Sequence, residues 1–439
     1  MSDPARLRGS ARKAAVIASG ALGVALAVTA GATLLTPPAP RPAASLSGPA
    51  SAVSHGEGRL SSDPSRSAKA LQARLRRLPK DHLAWASLGT AYVEQARITA
   101  DPSYYAKAGE ALERAARLAP ADPAVLTGRA ALAAGRHEFA EAVRLARLAV
   151  SANPHGAAAY GVLADAHTQL GDLRRAGNAV RRMVELRPGV ASFTRASYDA
   201  ELRGDHAEAV RMLEAALGDA FTADDVAHCR YRLGELALRS GDLQGAGRRY
   251  AEALASSPGY LPALAGQARV AAFDGRLGQA VDGYAAVVAR LPLAQYVVEY
   301  GEVLVKLGRD PGPQWSLLAA QKSLMAAAGV RDDLTWAEFE ADHGSPAEAV
   351  RHAEAEYARN PNAVAADALA WALHKAGESR RALGHAREAT ASGWRNALFL
   401  HHRAAIEKAL GRDPARSSAL AERYNPRFDP SLPALARMS

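Results

Sequence analysis

Residues 240–258 read SGDLQGAGRRYAEALASSP, and two other stretches follow the same plan: LGDLRRAGNAVRRMVELRP at 170–188 and DGRLGQAVDGYAAVVARLP at 274–292. Each has Gly second, an apolar residue two positions later, Ala near the middle and Pro last. The Gly suits a left-handed residue closing one helix, the Ala lets a second helix cross the first closely, and the Pro stops that second helix. The breaks are periodic. Pro120, Pro154 and Pro188 lie 34 residues apart, as do Pro258 and Pro292, and Pro188 to Pro258 is 70, about two periods. From Pro79 to Pro120 is 41, one period plus seven, which fits an insertion around Ile98–Tyr105. A fixed period in this range marks a repeat array.

Composition agrees. The 439 residues are 49% hydrophobic but only 6% aromatic, with Ala and Leu carrying much of the apolar share. From about Ser67 onward apolar residues recur every three or four positions, and no alternating β-branched stretch interrupts them. The body is predicted to be all-α.

Residues 85–92, WASLGTAY, reproduce the Trp-x2-Leu-Gly-x2-Tyr opening of a tetratricopeptide repeat. The later Ala-x3-aromatic and Pro positions stand as Ala246, Tyr250 and Pro258, and as Ala280, Tyr284 and Pro292. From roughly Ser67 to Pro426 the chain resembles the tetratricopeptide repeat family. The expected fold is an α-α superhelix, a solenoid of nine to ten helix pairs over residues 66–430 with a concave groove. Tyr250, Tyr284 and Trp85 are expected to pack, as are Tyr104 and Tyr105 of the insertion.

The formal charge of +9 is confined to one end. Residues 1–80 hold 12 Lys and Arg against 3 Asp and Glu, leaving 42 of each sign in the remainder. A neutral body of mixed sign gives no electrostatic footprint for nucleic acid. Arg6, Arg8, Arg12 and Lys13, in the basic tail 1–13, precede an uncharged run at 14–35, AAVIASGALGVALAVTAGATLL. As a helix this would span about 33 Å, enough for a bilayer core. The flanking basic residues predict a single-pass signal anchor with the N-terminus cytoplasmic and the repeats extracytoplasmic, in a bacterial cell. The alternative is a cleaved signal peptide with Ala30-Gly31-Ala32 at the cleavage site and a secreted body. Residues 36–65, rich in Pro, Ala and Ser, read as a disordered linker. Cys229 has no partner for an internal disulfide and is expected to be a buried, inert thiol.

After Pro292 the rhythm weakens. Residues 309–333 hold two prolines and read as a long loop, and regular repeats resume at 345–361. The final pair, 396–426, is expected to cap the solenoid. No phosphate loop, HExxH, CxxC or Gly-x-Ser-x-Gly motif stands in the body, so no enzyme, cofactor or metal site is expected. Six of the 13 His fall between His343 and His402. Carrying the repeat register forward, Glu338, Asp342, Asp367, Trp371, His374 and His401 point into the groove from the first helices of the last three pairs. A shift of one residue in the last pair exchanges His401 for His402. His352 and His385, on second helices, are expected to face outward, and His343 to cap the helix it ends. The resemblance implies a non-enzymatic scaffold that binds a protein or peptide in the groove. The alternative is an extracytoplasmic small-ligand or metal-binding protein that uses the His/Asp-rich end, as a transporter accessory.

Overall fold

The quoted phrase folds as one turn and one helix. The computed structural model describes residues 64–437, which fall within one compact unit. The basic tail, the 14–35 run and nearly all of the 36–65 linker lie outside the described residues. Among the described residues there is no strand. No helix among them is long and apolar enough to cross a membrane.

Helix α1 (Pro64–Arg77) leads into ten antiparallel pairs. The first five are α2 (His82–Thr99) with α3 (Ser103–Leu118), α4 (Pro123–Gly135) with α5 (Phe139–Ala152), α6 (Ala157–Gln169) with α7 (Leu173–Leu186), α8 (Val190–Leu202) with α9 (His206–Gly218), and α10 (Ala223–Arg239) with α11 (Leu243–Ser256). The second five are α12 (Leu261–Phe273) with α13 (Leu277–Val288), α14 (Ala294–Lys306) with α15 (Gly312–Ala327), α16 (Asp333–His343) with α17 (Pro346–Arg359), α18 (Ala363–Lys375) with α19 (Ser379–Ala389), and α20 (Ala397–Ala409) with α21 (Ala415–Tyr424). This is a tetratricopeptide-like helical repeat solenoid. Two expectations of extent change. Helix α1 starts at Pro64, inside the stretch read as linker, and packed chain continues beyond 430 to Arg437. The loop expected over 309–333 is instead mostly α15, because Pro311 and Pro313 sit at the start of the helix, where the missing N–H groups cost nothing.

The turn chemistry is repeated with the sequence. Gly171, Gly204 and Gly241 have φ of +75°, +78° and +79°. The Asp that follows each one caps the next helix, accepting from the backbone N–H of Arg175, Glu208 and Gly245. Across each pair, small residues admit large ones. Tyr250 of α11 is fully buried between Gly234 of α10 and Gly266 of α12, where an added Cβ would lie only 2.5 and 2.6 Å from its ring. Leu112 of α3 fills the same place between Gly89 and Gly128. Ala176, Ala246 and Ala280 are wholly buried where the helices cross. Trp85 is only half-buried: its Nε1–H donates to the Pro79 carbonyl at 2.9 Å, and the Arg114 guanidinium covers the ring.

Repeats of a solenoid ordinarily touch only their neighbours. Here the turns of early pairs also meet loops of late ones at a nearly constant offset. Asn362 Nδ2 donates to the Gln169 carbonyl at 2.7 Å, 193 positions away. His137 Nδ1 lies 3.1 Å from the Arg331 carbonyl oxygen, 194 positions away, and Asn425 Nδ2 donates to the Leu238 carbonyl across 187. A Cβ on Gly204 would strike the carbonyl of Gly393. Successive turns of the superhelix are therefore in direct contact.

Gly275 provides the control, with the same φ of +78° and nothing within 4 Å of an added Cβ. Gly275→Ala should cost about 1–2 kcal/mol from left-handed backbone alone. Gly204→Ala should cost roughly 1–3 kcal/mol more, because overpacking against Gly393 is added. Urea unfolding of the two variants separates the effects; equal losses would mean the superhelical turns do not touch at this point.

Candidate binding groove

From α6 to α14 the first helices of successive pairs carry charged side chains that pair with one another at roughly one-repeat intervals. Asp165 of α6 receives two hydrogen bonds from Arg195 of α8, both at 2.8 Å. Glu201 of α8 pairs with Arg239 of α10. Arg269 of α12 bridges Glu235 of α10 at 2.9 Å and Glu299 of α14 at 3.0 Å. The Tyr250 and Tyr284 hydroxyls donate to those same carboxylates at 2.6 and 2.8 Å, one from each second helix. Burial alone would raise the Glu235 carboxyl, but Arg269 and Arg239 outweigh it and hold the group below its ordinary value.

The ladder continues into the His-rich end. Glu302 of α14 lies 2.9 Å from His343 Nε2, and the His343 ring stacks on Trp315. His343 thus bonds across to the preceding pair, and its role is not the helix-end cap expected from its place beside Asp342. Trp371 Nε1–H of α18 donates to Asp342 Oδ1 of α16 at 2.7 Å. His402 of α20 contacts Asp367 Oδ2 at 2.9 Å and stacks on Trp371 with ring centroids 4.0 Å apart. His401 lies beside both Trp371 and Phe428, with ring centroids 6.5 and 5.4 Å away.

Four of the six expected groove residues converge: Trp371 on Asp342 directly, Asp367 through His402, and Glu338 through Arg437, which it shares with Asp342. His374 flanks them, its ring against Trp371 and its Nδ1 2.9 Å from Ser379 Oγ. His374 and His401 are both held below the ordinary imidazole value by burial. Among the described residues no group of three His, Cys, Asp or Glu is placed to hold a metal ion.

The convergence has an occupant from the same chain. After α21 the segment 426–437 turns back across the first helices. Leu432 and Leu435 join the cluster formed by Ala268, Ala271, Val303 and Leu304. Lys306 pairs with Asp429, and the Ala434 N–H donates to Glu302 Oε2 at 2.8 Å. Arg437 ends the described chain between two carboxylates, paired to Asp342 and 3.4 Å from Glu338. Burial alone would raise Asp342, yet Arg437 and the Trp371 N–H hold it below its ordinary value. Burial pushes the Glu338 carboxyl up to about 7, against the pull of Arg437.

This raised value has a pH consequence. Between 4.5, the ordinary value, and about 7, the folded chain keeps a proton on Glu338 that the unfolded chain has released. Stability from this group is therefore present at the acidic end and lost as pH rises through that window. Glu338→Gln should flatten that part of the melting-temperature profile against pH, and an unchanged slope would remove Glu338 as its source.

His352 departs from expectation. Its place on a second helix points it outward, yet it is only 5% exposed, with Nδ1 2.6 Å from Asp333 Oδ1. The Lys322 Nζ of α15 lies 3.2 Å from its Nε2. His385 is half-buried, edge-on to Tyr357. Cys229 is fully buried, and burial pushes its thiol up to about 11. That makes it a poor nucleophile.

Glu235, Arg269, Glu299, Glu302 and Arg437 are absent from the residues expected in the groove. For the first three a signal existed: they stand 34 and 30 residues apart at inward positions of successive first helices. Arg437 carried none, since it lies beyond the repeats.

No protein-family model matches the chain, and no curated protein matches it. Several solved structures are similar to part of it. TTC0263, a thermophilic TPR protein of Thermus thermophilus, matches over 42% of this chain and 97% of its own, at 23% identity and a TM-score of 0.37. PilW, described as a widely conserved type IV pilus biogenesis factor, matches over 46% and 89%, at 19% identity and 0.35. YrrB, described as a TPR protein with an unusual peptide-binding site, matches over 45% and 97%, at 16% identity and 0.29. Each likeness covers less than half of this chain at a low score, and the solenoid is established by the ten helix pairs themselves.

Proposed function

We propose that the chain is a non-enzymatic tetratricopeptide-type scaffold whose inner face binds an extended segment of a partner protein. It would be held in a bacterial cell membrane by residues 14–35, with the repeats on the outer side. The observation that carries the binding reading is the segment 426–437. It shows what chemistry this face accepts: leucine side chains against α12 and α14, and a basic side chain between Glu338 and Asp342. Rigid first helices with a buried carboxylate pair and an aromatic floor suit capture of a peptide.

The test uses a fluorescent peptide with the sequence of 428–437, FDPSLPALAR, titrated into chain ending at Asn425 and followed by anisotropy. Saturable binding is expected, with Asp342→Asn weakening it by about tenfold or more, the size of a charge-assisted contact. Absence of binding would remove the peptide reading. The topology is tested separately: protease added to intact cells should degrade the repeats if they lie outside the membrane.

A further inference from the structure

The two places where the repeat rhythm fails meet in space. The insertion around Ile98–Tyr105 supplies Ala100, Pro102 and Tyr105 to one wall of a cavity of about 430 Å³. The irregular stretch containing α15 supplies the facing wall, including Leu318 and Met325, and Trp336 of α16 adds to it. This volume falls in the range of small-molecule sites, about 300–1,000 Å³. Most of the lining is apolar. Sequences depart from local rules most often where a site has to be made.

The charged groups at its edge are not balanced. Arg97 is paired with Glu94. Asp333 is taken by Arg359 and His352, and Asp332 accepts from the Thr335 N–H. Lys322 lies 4.0 Å above the Trp336 ring and 3.2 Å from His352 Nε2. Among the described residues, neither Lys322 nor Arg331 has a carboxylate within 4.0 Å. The cavity thus has an apolar interior and, at its edge, Lys322, Arg331 and Asp332, none of which has an oppositely charged partner within 4.0 Å among the described residues.

We propose that this cavity binds an aliphatic carboxylate, with the chain among Tyr105, Leu318 and Met325 and the carboxylate at Lys322. The site is separate from the groove and does not depend on the peptide reading. Apolar burial supplies most of the affinity, and the ammonium selects the charge of the head group.

Calorimetric titration of the full chain with decanoate tests it, with decanol and decyltrimethylammonium as probes of the same tail without the anion. One decanoate per chain is expected, and decanol should bind at least about tenfold more weakly. Lys322→Met should weaken decanoate by a similar factor, and Ala326→Trp, which fills the mouth from α15, should abolish binding. If Ala326→Trp lowers the melting temperature, Lys322→Met decides alone. The proposal is overturned if decanoate does not bind, if decanol binds equally well, or if Lys322→Met binds as wild type does.

Discussion

Arg269→Ala should lower stability by about 3–5 kcal/mol, because it strands two buried carboxylates. Arg269 is 2% exposed and Glu299 not at all, so water cannot replace the lost guanidinium. Glu235 keeps Arg239 at 3.7 Å, but Glu299 is left with only the Tyr284 hydroxyl and Gln295. The three groups also lie on three successive first helices, so the loss falls on two interfaces between repeats. A triple change of Glu235→Leu, Arg269→Met and Glu299→Leu should recover most of that loss, since removing a whole buried network is far cheaper than breaking it. Urea unfolding measures both. A single variant that loses less than about 1 kcal/mol would place these charges in solvent, where exposed pairs contribute that little.

Arg437→Glu should release the segment 426–437 from the inner face. The substitution sets a third carboxylate against Asp342 and Glu338 in a buried setting, where like charges repel strongly. The Ala434 N–H, now bonded to Glu302, is the reporter. In the unaltered chain its hydrogen exchange should be slow; in Arg437→Glu it should approach the rate of an unprotected amide. Arg427→Ala removes only an exposed 3.5 Å contact with Asp274 and should leave that exchange slow. If Arg437→Glu also left it slow, the apolar anchors Leu432 and Leu435 would be sufficient by themselves.

The repeat architecture was legible because each hairpin repeats its own local rules. Gly241 and Asp242 specify a turn, Ala246 a crossing and Tyr250 a filler, and none of these depends on distant chain. The interior of the superhelix was harder to read. His401 and His402 differ by one residue of register, and only the fold shows that His402 is buried on Asp367 and Trp371 while His401 stays partly exposed beside Phe428. His352 reads as outward from its place on a second helix, and its cover comes from Lys322 of α15, a helix that stands where a loop was expected. Contacts between superhelical turns, such as Gly204 against Gly393, join positions nearly 190 residues apart that no local pattern connects. The segment 426–437 falls outside the period altogether, so periodicity carried no information about where Arg437 would end.

If the inner face is a peptide-binding surface occupied by the chain's own 426–437 segment, that segment must compete with any peptide added from outside. A tethered segment competes at an effective concentration on the order of millimolar. The deciding quantity is the affinity of the labelled 428–437 peptide for the full chain and for chain ending at Asn425. Binding should be at least about tenfold tighter without the segment, because the competitor is gone. Equal affinities in the two would overturn this picture, since the peptide would then be binding somewhere the segment does not occupy.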